Sequence, residues 1–520
     1  MQNTNILWAD DEIDRLKPHI LFLNQKGYQV KAVCSGLDAL EQCEKTHYDL
    51  VFLDENMPGM SGLETLQQIK TMRPNLPVIM ITKSEEESIM EEAIASKIAD
   101  YLIKPVNPNQ ILLSIKKCLD KKRLIAEYTN HSYQQDFRNI GMAFNDVNSF
   151  QDWSEVYKKL VFWELEMDKA ESNQMREVLV SQKEEANVNF TKFVRENYET
   201  WFSTSPPSNT PLMSHKLIAN KILPLLKDDE SVFFILVDNL RLDQWRMLEP
   251  IIAEYYNTIE DSLYCSILPT TTAYARNAIF AGLTPLEISY DYPQLWADDD
   301  EEGTKNNFED EFLRRLLQRR RLDHIKMSYH KILNNKQGKA LNESLKMLLS
   351  NHLNAVVYNF VDALSHARTD VNVIRELAPD ESAYRAVTLS WFLHSPLLEM
   401  LKWLASHKVK VVITTDHGTI RTEKPFKIVG DKNTNTNLRY KQGKNLNFQG
   451  KNIVMTRKPD SFGLPSPNVS TSYVFATEDH FFAYPNNYNH YVKYYKDTFQ
   501  HGGVSMEEML IPFILLEPRS

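Results

Sequence analysis

The chain of 520 residues is long enough for about three domains, and its net charge of −10 argues against a protein that binds DNA mainly by electrostatic attraction. Its four cysteines, Cys34, Cys43, Cys118 and Cys265, have no disulfide-scaffold or paired metal-site spacing and suit a reducing cytoplasm. Because no apolar run approaches the ~20 residues that span a bilayer, and because the N-terminus has no signal-peptide pattern, we expect a soluble cytoplasmic protein without membrane insertion.

Residues 1–121 alternate short apolar runs with amphipathic stretches, which is typical of a doubly wound α/β domain. The working residues of such a sheet collect at the carboxyl ends of its strands, so the polar residues at those ends are candidate functional groups. The predicted strands lie near residues 6–9, 29–33, 50–53, 78–81 and 101–103.

Acids, a threonine and a lysine follow these predicted strands. Asp10, Asp11 and Asp54 form a set of oxygen ligands suited to Mg²⁺. Asp54 is then the nucleophile toward a phosphoryl donor, Lys104 the cation that pairs with the product, and Thr82 the hydroxyl that follows the new phosphate. A single acid at a strand end serves equally well as a helix cap, so it is the ordered set of five that favours a phosphorylation site.

The run Asp54-Glu55-Asn56-Met57-Pro58-Gly59 and the pair Lys104-Pro105 make this segment resemble a response-regulator receiver domain over its whole length. The resemblance implies phosphorylation of Asp54 by a cognate sensor histidine kinase, with Thr82 and Tyr101 as the switch pair. The segment does not depart from the family pattern, so we expect the receiver to accept a phosphoryl group.

The next segment, residues 122–205, contains one glycine and no proline. Its apolar residues recur at three- and four-residue spacings, as at Trp153, Val156, Leu160 and Trp163, which predicts a helical-bundle connector. Such stripes are typical of packing seams, and no chemistry follows from them. The turn-rich residues 203–211 indicate where the bundle ends.

The last segment, residues 206–520, contains three near-continuous apolar runs at 231–237, 355–361 and 409–414. They predict strands of a mostly parallel, covered sheet in a second α/β domain. Asp238 follows the first run, Asp362 the second, and Asp416 with His417 the third. Each acid alone is a weak signal, because an acid after a strand often caps a helix.

The spacing of these residues favours a metal site. Asp362 and His366 are four residues apart, so one helical turn or a tight loop can direct both at the same ion. His501 precedes two glycines, whose backbone can approach a ligand closely. A ligand set of Asp and His without Cys suits Zn²⁺ or Mn²⁺ at a catalytic site.

The run Pro269-Thr270-Thr271-Thr272 supplies hydroxyl groups ahead of a predicted helix at residues 273–281. Metal coordination lowers the pKa of a hydroxyl and so makes it a nucleophile, and a helix N-terminus favours an incoming phosphate. A threonine-rich helix cap explains the local pattern equally well. The nucleophile is preferred because the other motifs accompany it.

Together with Asp416-His417-Gly418 and His501-Gly502-Gly503, these motifs resemble the alkaline-phosphatase superfamily, in particular its nucleotide pyrophosphatase/phosphodiesterase and PglZ-like branches. The resemblance implies a phosphodiesterase with two metal ions, Zn²⁺ or Mn²⁺, that acts on nucleotides or oligonucleotides. Thr272 is the implied nucleophile, with Thr271 as the alternative, and Arg276 stands at a candidate substrate contact. The implied ligands are Asp238, Asp416 and His417 with Thr272 for one metal, and Asp362, His366 and His501 for the other.

The segment after Asp416-His417-Gly418, residues 423–458, contains nine Lys and Arg against two acids. Its Gly, Asn and Lys content is interpreted as a mobile loop, either a solvated excursion or a lid that attracts polyanions. In a lid, Arg439 contacts a phosphate and Tyr440 stacks on a base. That interpretation favours a diester or oligonucleotide over a small monoester.

The order of receiver, helical connector and PglZ-like domain resembles response regulators of Bacteroidetes that control type IX secretion. The resemblance implies a sigma factor or secretion component as a partner, and phosphorylation can reposition or dimerise such domains. Two other functions stay open. One is a metal-stabilised interaction module without catalysis, and the other is a phosphomonoesterase.

Overall fold

The computed structural model describes residues 4–83, 98–170, 175–226, 230–297, 306–430, 434–485 and 488–519. The chain forms two compact units, one of Met1–Gln134 with Lys169–Ser172 and the other of Gln135–Asp168 with Asn173–Ser520. The division into three domains at residues 121 and 205 stays a prediction. Among the described residues, no helix combines the length and the apolar character that crossing a bilayer requires.

The first unit contains a five-stranded parallel sheet with helices between its strands, which confirms the doubly wound fold. The elements are β1 (Thr4–Ala9), α1 (Lys17–Gln25), β2 (Tyr28–Val33), α2 (Gly36–Lys45), β3 (Leu50–Asp54), α3 (Gly62–Met72), β4 (Val78–Thr82) and β5 (Asp100–Ile103). The strand order is β2-β1-β3-β4-β5. Because β1 and β3 are parallel neighbours, the acids that follow them lie at the same edge of the sheet.

Three helices form the predicted connector: α4 (Pro108–Asp146), α5 (Phe150–Lys169) and α6 (Arg176–Trp201). Asn107 caps the start of α4 by accepting a hydrogen bond from Gln110 N at 2.9 Å. The apolar stripes of α5 and α6 meet, with the Trp153 and Phe190 rings edge to face at 5.6 Å. The stripes are packing seams, as the spacing predicts.

The second unit is built on a six-stranded sheet, whose strands in spatial order are β7 (Tyr256–Cys265), β19 (Leu510–Pro518), β10 (Lys410–Thr414), β6 (Val232–Val237), β9 (Leu353–Tyr358) and β8 (Met327–Ile332). β19 runs antiparallel to its two neighbours and the other strands are parallel, so the sheet is mostly parallel, as the apolar runs predict. Its central strands β6, β9 and β10 are almost entirely buried. The elements up to β10 are β6 (Val232–Val237), α7 (Leu242–Ile252), β7 (Tyr256–Cys265), α8 (Asn277–Ala281), α9 (Pro285–Asp291), α10 (Glu309–Arg319), β8 (Met327–Ile332), α11 (Asn335–Leu348), β9 (Leu353–Tyr358), α12 (Phe360–Asp370), α13 (Asn372–Leu377), α14 (Glu381–Leu393), α15 (Pro396–Ser406) and β10 (Lys410–Thr414).

One predicted boundary is wrong. The strand expected at residues 355–361 ends at Tyr358, and Asp362 lies in the first turn of α12 rather than at a strand end. The apolar run continues because Val361 is fully buried in that helix, and a buried helical turn looks like a buried strand in sequence. Asp362 and His366 are therefore on successive turns of one helix.

The remaining elements surround the end of the chain. They are β11 (Ile420–Thr422), β12 (Lys424–Val429), β13 (Tyr440–Gly443), β14 (Asn447–Phe448), β15 (Ile453–Thr456), β16 (Ser472–Ala476), β17 (His480–Ala483), α16 (Tyr488–Tyr495), β18 (Thr498–Gln500), α17 (Met506–Met509) and β19 (Leu510–Pro518).

The mobile loop expected at residues 423–458 is a second wrong prediction in the part of it that the structure describes. β12, β13 and β15 belong to small sheets that pair with β16 and β17. Phe426, Ile428 and Ile453 share a hydrophobic cluster with Val474. The sequence does not indicate these strands, because the segment is rich in Gly, Asn and Lys and because the strands pair with partners that come later in the chain.

Candidate active site

Asp238, Asp416 and His417 form the first ligand group. Each offers one ligand atom, and these atoms lie within 4.8 Å of one another. His417 Nε2 is 3.6 Å from Asp238 Oδ1 and 3.9 Å from Asp416 Oδ2, and all three side chains are fully buried. They meet because β6 and β10 are parallel neighbours whose carboxyl ends lie at one edge of the sheet.

Asp362, His366 and His501 form the second ligand group, whose ligand atoms also lie within 4.8 Å of one another. Asp362 is 3.6 Å from both His366 Nε2 and His501 Nε2. The His366 side chain is 64% exposed, so this group is open to solvent on the α12 side. The rings of His417 and His501 stack with centroids 4.2 Å apart, which places the two groups side by side.

The electrostatics of the two groups fit divalent cations. Burial, and then the charge of Asp238, raises the pKa of Asp416 to about 6, and the same causes raise the pKa of Asp362. Burial and the charge of His417 hold the pKa of His501 well below its ordinary value. Asp416 Oδ2 is buried without a hydrogen-bond partner among the described residues. An orphaned carboxylate oxygen between acids and imidazoles is the environment that a bound cation satisfies.

Thr272 is the threonine of the Thr270–Thr272 run whose hydroxyl reaches the first ligand group. Its Oγ1 lies 3.1 Å from His417 Nε2 and 3.5 Å from Asp238 Oδ1. The Thr270 hydroxyl instead donates to Gly503 O and accepts from Gly502 N, each at 3.0 Å. Thr271 turns its methyl toward Gly502, where a Cβ would lie 3.2 Å from it.

The first unit gathers at one edge of its sheet the residues expected to form a phosphorylation site. The ligand atoms of Asp10, Asp11 and Asp54 lie within 4.8 Å of one another, which suits Mg²⁺. Lys104 Nζ is 2.8 Å from Asp10 Oδ2 and from Asp54 Oδ1. Thr82 is fully buried at the end of β4.

Burial raises the pKa of Asp54, against the opposing effect of its hydrogen bond to Lys104. Lys104 lies in a buried setting that lowers its pKa, but its two carboxylate partners outweigh this effect and raise it. Tyr101 is hydrogen-bonded to Thr82. The Thr82 and Tyr101 pair is therefore in contact beside Asp54.

Three protein-family models match the chain. They describe a response regulator receiver domain at residues 6–116, a PorX response regulator linker domain at residues 123–202, and a BREX system PglZ alkaline phosphatase-like domain at residues 217–516. The last match spans more than half of the chain. The chain belongs to the PglZ alkaline-phosphatase-like family. The receiver and the PorX-type linker precede the PglZ domain in the chain.

The curated relatives resemble the receiver. The transcriptional regulatory protein ZraR of Klebsiella oxytoca is 33% identical over 140 residues, which are 27% of this chain and 32% of that protein. Sporulation initiation phosphotransferase F of Bacillus subtilis is 34% identical over 123 residues, which are 24% of this chain and 98% of that protein. The chain thus spans about a third of the length of ZraR. A CheY-like receiver domain structure from Methanospirillum hungatei is 28% identical, covers 23% of this chain and 96% of that one, and has a TM-score of 0.23.

Arg276 lies inside the PglZ site but is not placed to contact a substrate. It is fully buried and donates to Asp238 Oδ2 at 2.6 Å and to Glu309 Oε1 at 3.0 Å. Its guanidinium also lies 3.9 Å from Asp416 Oδ2. The expected substrate contact is corrected accordingly: Arg276 holds a ligand carboxylate in place and offsets part of the charge of the acids.

Arg439 and Tyr440 also differ from the lid contacts expected of them. Arg439 is fully buried and its Nη2 lies 2.6 Å from Glu508 Oε2, because a buried guanidinium requires a carboxylate partner. Tyr440 is 4% exposed and packs edge to face on Tyr274 at 5.9 Å. Both side chains support the loop of Gly502 and Gly503, and neither presents a surface to a phosphate or a base.

Two asparagines complete the site and were not singled out from the sequence. Asn239 follows Asp238 with a φ of 65°, a conformation that asparagine tolerates. Its amide Nδ2 lies 3.4 Å from Asp362 Oδ1, and that of Asn359 lies 3.1 Å from Asp238 Oδ2. The position of Asn239 directly after a ligand is the one signal that the sequence offered.

Proposed function

We propose that the protein is a response regulator, phosphorylated on Asp54, whose effector is a two-metal phosphodiesterase with Thr272 as nucleophile. The observation that carries this proposal is the Thr272 hydroxyl, 3.1 Å from His417 Nε2 and 3.5 Å from Asp238 Oδ1. A nucleophile at this position faces the first ligand group. The second group lies beside it, where the leaving side of a phosphate fits.

Divalent cations held by the two ligand groups would stabilise negative charge on the attacking oxygen and on the leaving oxygen of an in-line displacement. Thr272 Oγ1 attacks phosphorus and gives up its proton, while the bond to the leaving alcohol breaks and that alcohol takes a proton. Water then hydrolyses the phosphothreonine and frees Thr272. Arg276 and Asn359 hold the Asp238 carboxylate during both steps.

A nucleotide or oligonucleotide diester is the proposed substrate class. Arg439 and Tyr440 are buried and do not support this substrate class. Its remaining support is the positive charge of the segment after Gly418. Exposed cations in a protein of net charge −10 attract polyanions to their surroundings, and this segment follows Gly418 in the sequence. Among the described residues of this segment, the exposed cations are Lys424, Lys427, Lys444, Lys451, Arg457 and Lys458. Control of type IX secretion rests on the resemblance of the whole chain alone.

The test is hydrolysis of a bis-aryl phosphate diester and of the matching monoester, with Zn²⁺ or Mn²⁺. We expect metal-dependent cleavage of the diester that Thr272→Ala abolishes without a change in metal content. Thr272→Ser keeps a hydroxyl and should retain activity, and Thr271→Ala is the matched control one residue away. Full activity of Thr272→Ala would remove the nucleophile assignment. Metal binding without turnover of either ester would favour the interaction module.

A further inference from the structure

The helices of the linker contact the loops that carry the ligand groups and Thr272. Tyr198, on α6, is fully buried. Its hydroxyl accepts a hydrogen bond from Leu268 N at 2.7 Å. Leu268 directly precedes the run of Pro269 and the three threonines. One side chain of the linker therefore binds the backbone that leads to Thr272.

A second linker side chain binds the start of α17. Asn187 is 5% exposed, and its Oδ1 accepts from Met506 N at 2.8 Å while its Nδ2 donates to Glu507 Oε2 at 3.0 Å. One hydrogen bond uses the oxygen and the other the nitrogen of the Asn187 side-chain amide. They fix the first turn of α17 relative to α6.

The same turn of α17 supports loops from both ligand groups. Gly418, next to His417, donates from its backbone N to Glu508 O at 3.2 Å. A Cβ on Gly418 would lie 2.0 Å from Glu507 O, so the two backbones are in close contact. Gly503, two residues after His501, donates to Glu508 Oε1 at 2.9 Å. Asn187 thus acts on both ligand groups through α17.

A chain of ion pairs joins α5 to the loop that follows β6 and carries Asp238. Arg385 binds Glu164 at 2.7 Å and Asp168 at 2.6 Å on the linker side, and Asp243 at 2.9 Å on the other side. Asp243 in turn binds Arg241 at 2.5 Å. Arg241 follows the Asp238 loop and donates to Thr419 O at 3.4 Å.

We propose that Tyr198 and Asn187 are positioning residues of the hydrolytic site. Through them the linker holds the loop of Thr272 and the loops of the metal ligands in fixed positions relative to one another. The proposal rests on the proposed function for its effect on catalysis. It gives the linker a role in the chemistry of the PglZ domain, because a change in α6 would move the nucleophile and the ligands together.

The size of the expected effect follows from the geometry of nucleophilic attack. A displacement of about 1 Å at a reacting group can reduce the rate by about a hundredfold. Removing one hydrogen bond from the Leu268 backbone allows a smaller shift, so we expect a reduction of kcat of about tenfold with KM unchanged. A purely structural contact would change stability and leave kcat of the folded protein as it was.

The experiment uses the full chain and four variants. Tyr198→Phe removes the hydroxyl that binds Leu268, and Tyr256→Phe removes an equally buried hydroxyl that donates to Leu401 O at 3.1 Å away from these loops. Asn187→Leu removes both amide contacts, and Asn197→Leu changes the same residue type on α6 where the amide donates to Phe193 O of its own helix at 2.9 Å. For each variant we would measure kcat, KM, metal content, melting temperature and backbone amide exchange in peptides of residues 266–272 and 501–506.

The proposal expects a lower kcat and faster amide exchange in those two peptides for Tyr198→Phe and Asn187→Leu, beyond any change in the two controls. Equal kcat and equal exchange in Tyr198→Phe and Tyr256→Phe would overturn it. If Asn187→Leu fails to fold, Tyr198→Phe decides alone. If the wild type hydrolyses no ester, the proposed function fails and the amide exchange still decides whether the linker holds these loops.

Discussion

Asp416 links metal binding to pH at the residue scale. Burial and the charge of Asp238 raise its pKa to about 6, above the ordinary value of about 3.9 for an aspartate in an unfolded chain. The folded metal-free protein thus binds more protons than the unfolded chain between these two values. Its free energy of unfolding should fall as the pH rises from about 4 to about 6.

Metal affinity should show the opposite trend, because the ion must displace the proton from Asp416. We expect the affinity for Zn²⁺ to fall by more than tenfold for each pH unit below about 6, with proton release on binding, because the ion also displaces a proton from His417, whose pKa the charges of Asp416 and Asp238 raise against the effect of burial. Calorimetric titration in two buffers of different ionisation enthalpy measures that release. Asp416→Asn cannot release this proton and is the control. An affinity for Zn²⁺ that is the same at pH 5 as at pH 6 would contradict the assignment.

At the scale of the elements, the loop after β10 depends on close backbone contact with α17. Gly418→Ala would place a Cβ 2.0 Å from Glu507 O, and neither backbone can yield without moving His417 or α17. We expect a loss of about 3 kcal/mol in the free energy of unfolding together with loss of metal binding. Gly141→Ala in α4 is the control, since its Cβ would meet no atom closer than 4.0 Å and should stabilise the helix by about 1 kcal/mol. Denaturant unfolding measures the free energy of unfolding of both variants, and metal titration measures their metal binding. If the two substitutions have equal effects, the contact between Gly418 and Glu507 is not the cause of the loss.

The same elements show what the sequence can predict and what it cannot. The sequence predicts that Asp238, Asp416 and His417 lie at the ends of β6 and β10, because a buried strand and the acid after it are both local signals. The sequence does not show that Glu309 and Glu508 reach Arg276 and Arg439 from distant positions, so it cannot distinguish a buried ion pair from a substrate contact. The sheets of residues 423–458 were missed for the same reason, since pairing with β16 and β17 is not a local property.

At the scale of the whole molecule, one chain carries two sites for which we propose phosphoryl transfer, each with its own proposed nucleophile. Asp54 with Lys104 forms the receiver site, and Thr272 with His417 forms the PglZ site. Since each site has its own ligand group, we expect Thr272→Ala to accept a phosphoryl group on Asp54 from acetyl phosphate and Mg²⁺ as the wild type does. Asp54→Asn should not accept it, and intact-protein mass measures both results.

The response of hydrolysis to that phosphoryl group tests whether the receiver controls the effector. Phosphorylation of Asp54 would add charge beside Lys104 and draw in the Thr82 hydroxyl. The structure of the receiver would then change, while the residues of the two ligand groups in the PglZ domain would be the same as before. We expect the rate of diester cleavage by the wild type to change when acetyl phosphate and Mg²⁺ are added, and the rate of Asp54→Asn to stay constant. The same change in both proteins would show an effect of the phosphodonor on the PglZ site itself. A constant rate in both, with Asp54 shown to be phosphorylated, would mean that the receiver directs an output other than hydrolysis.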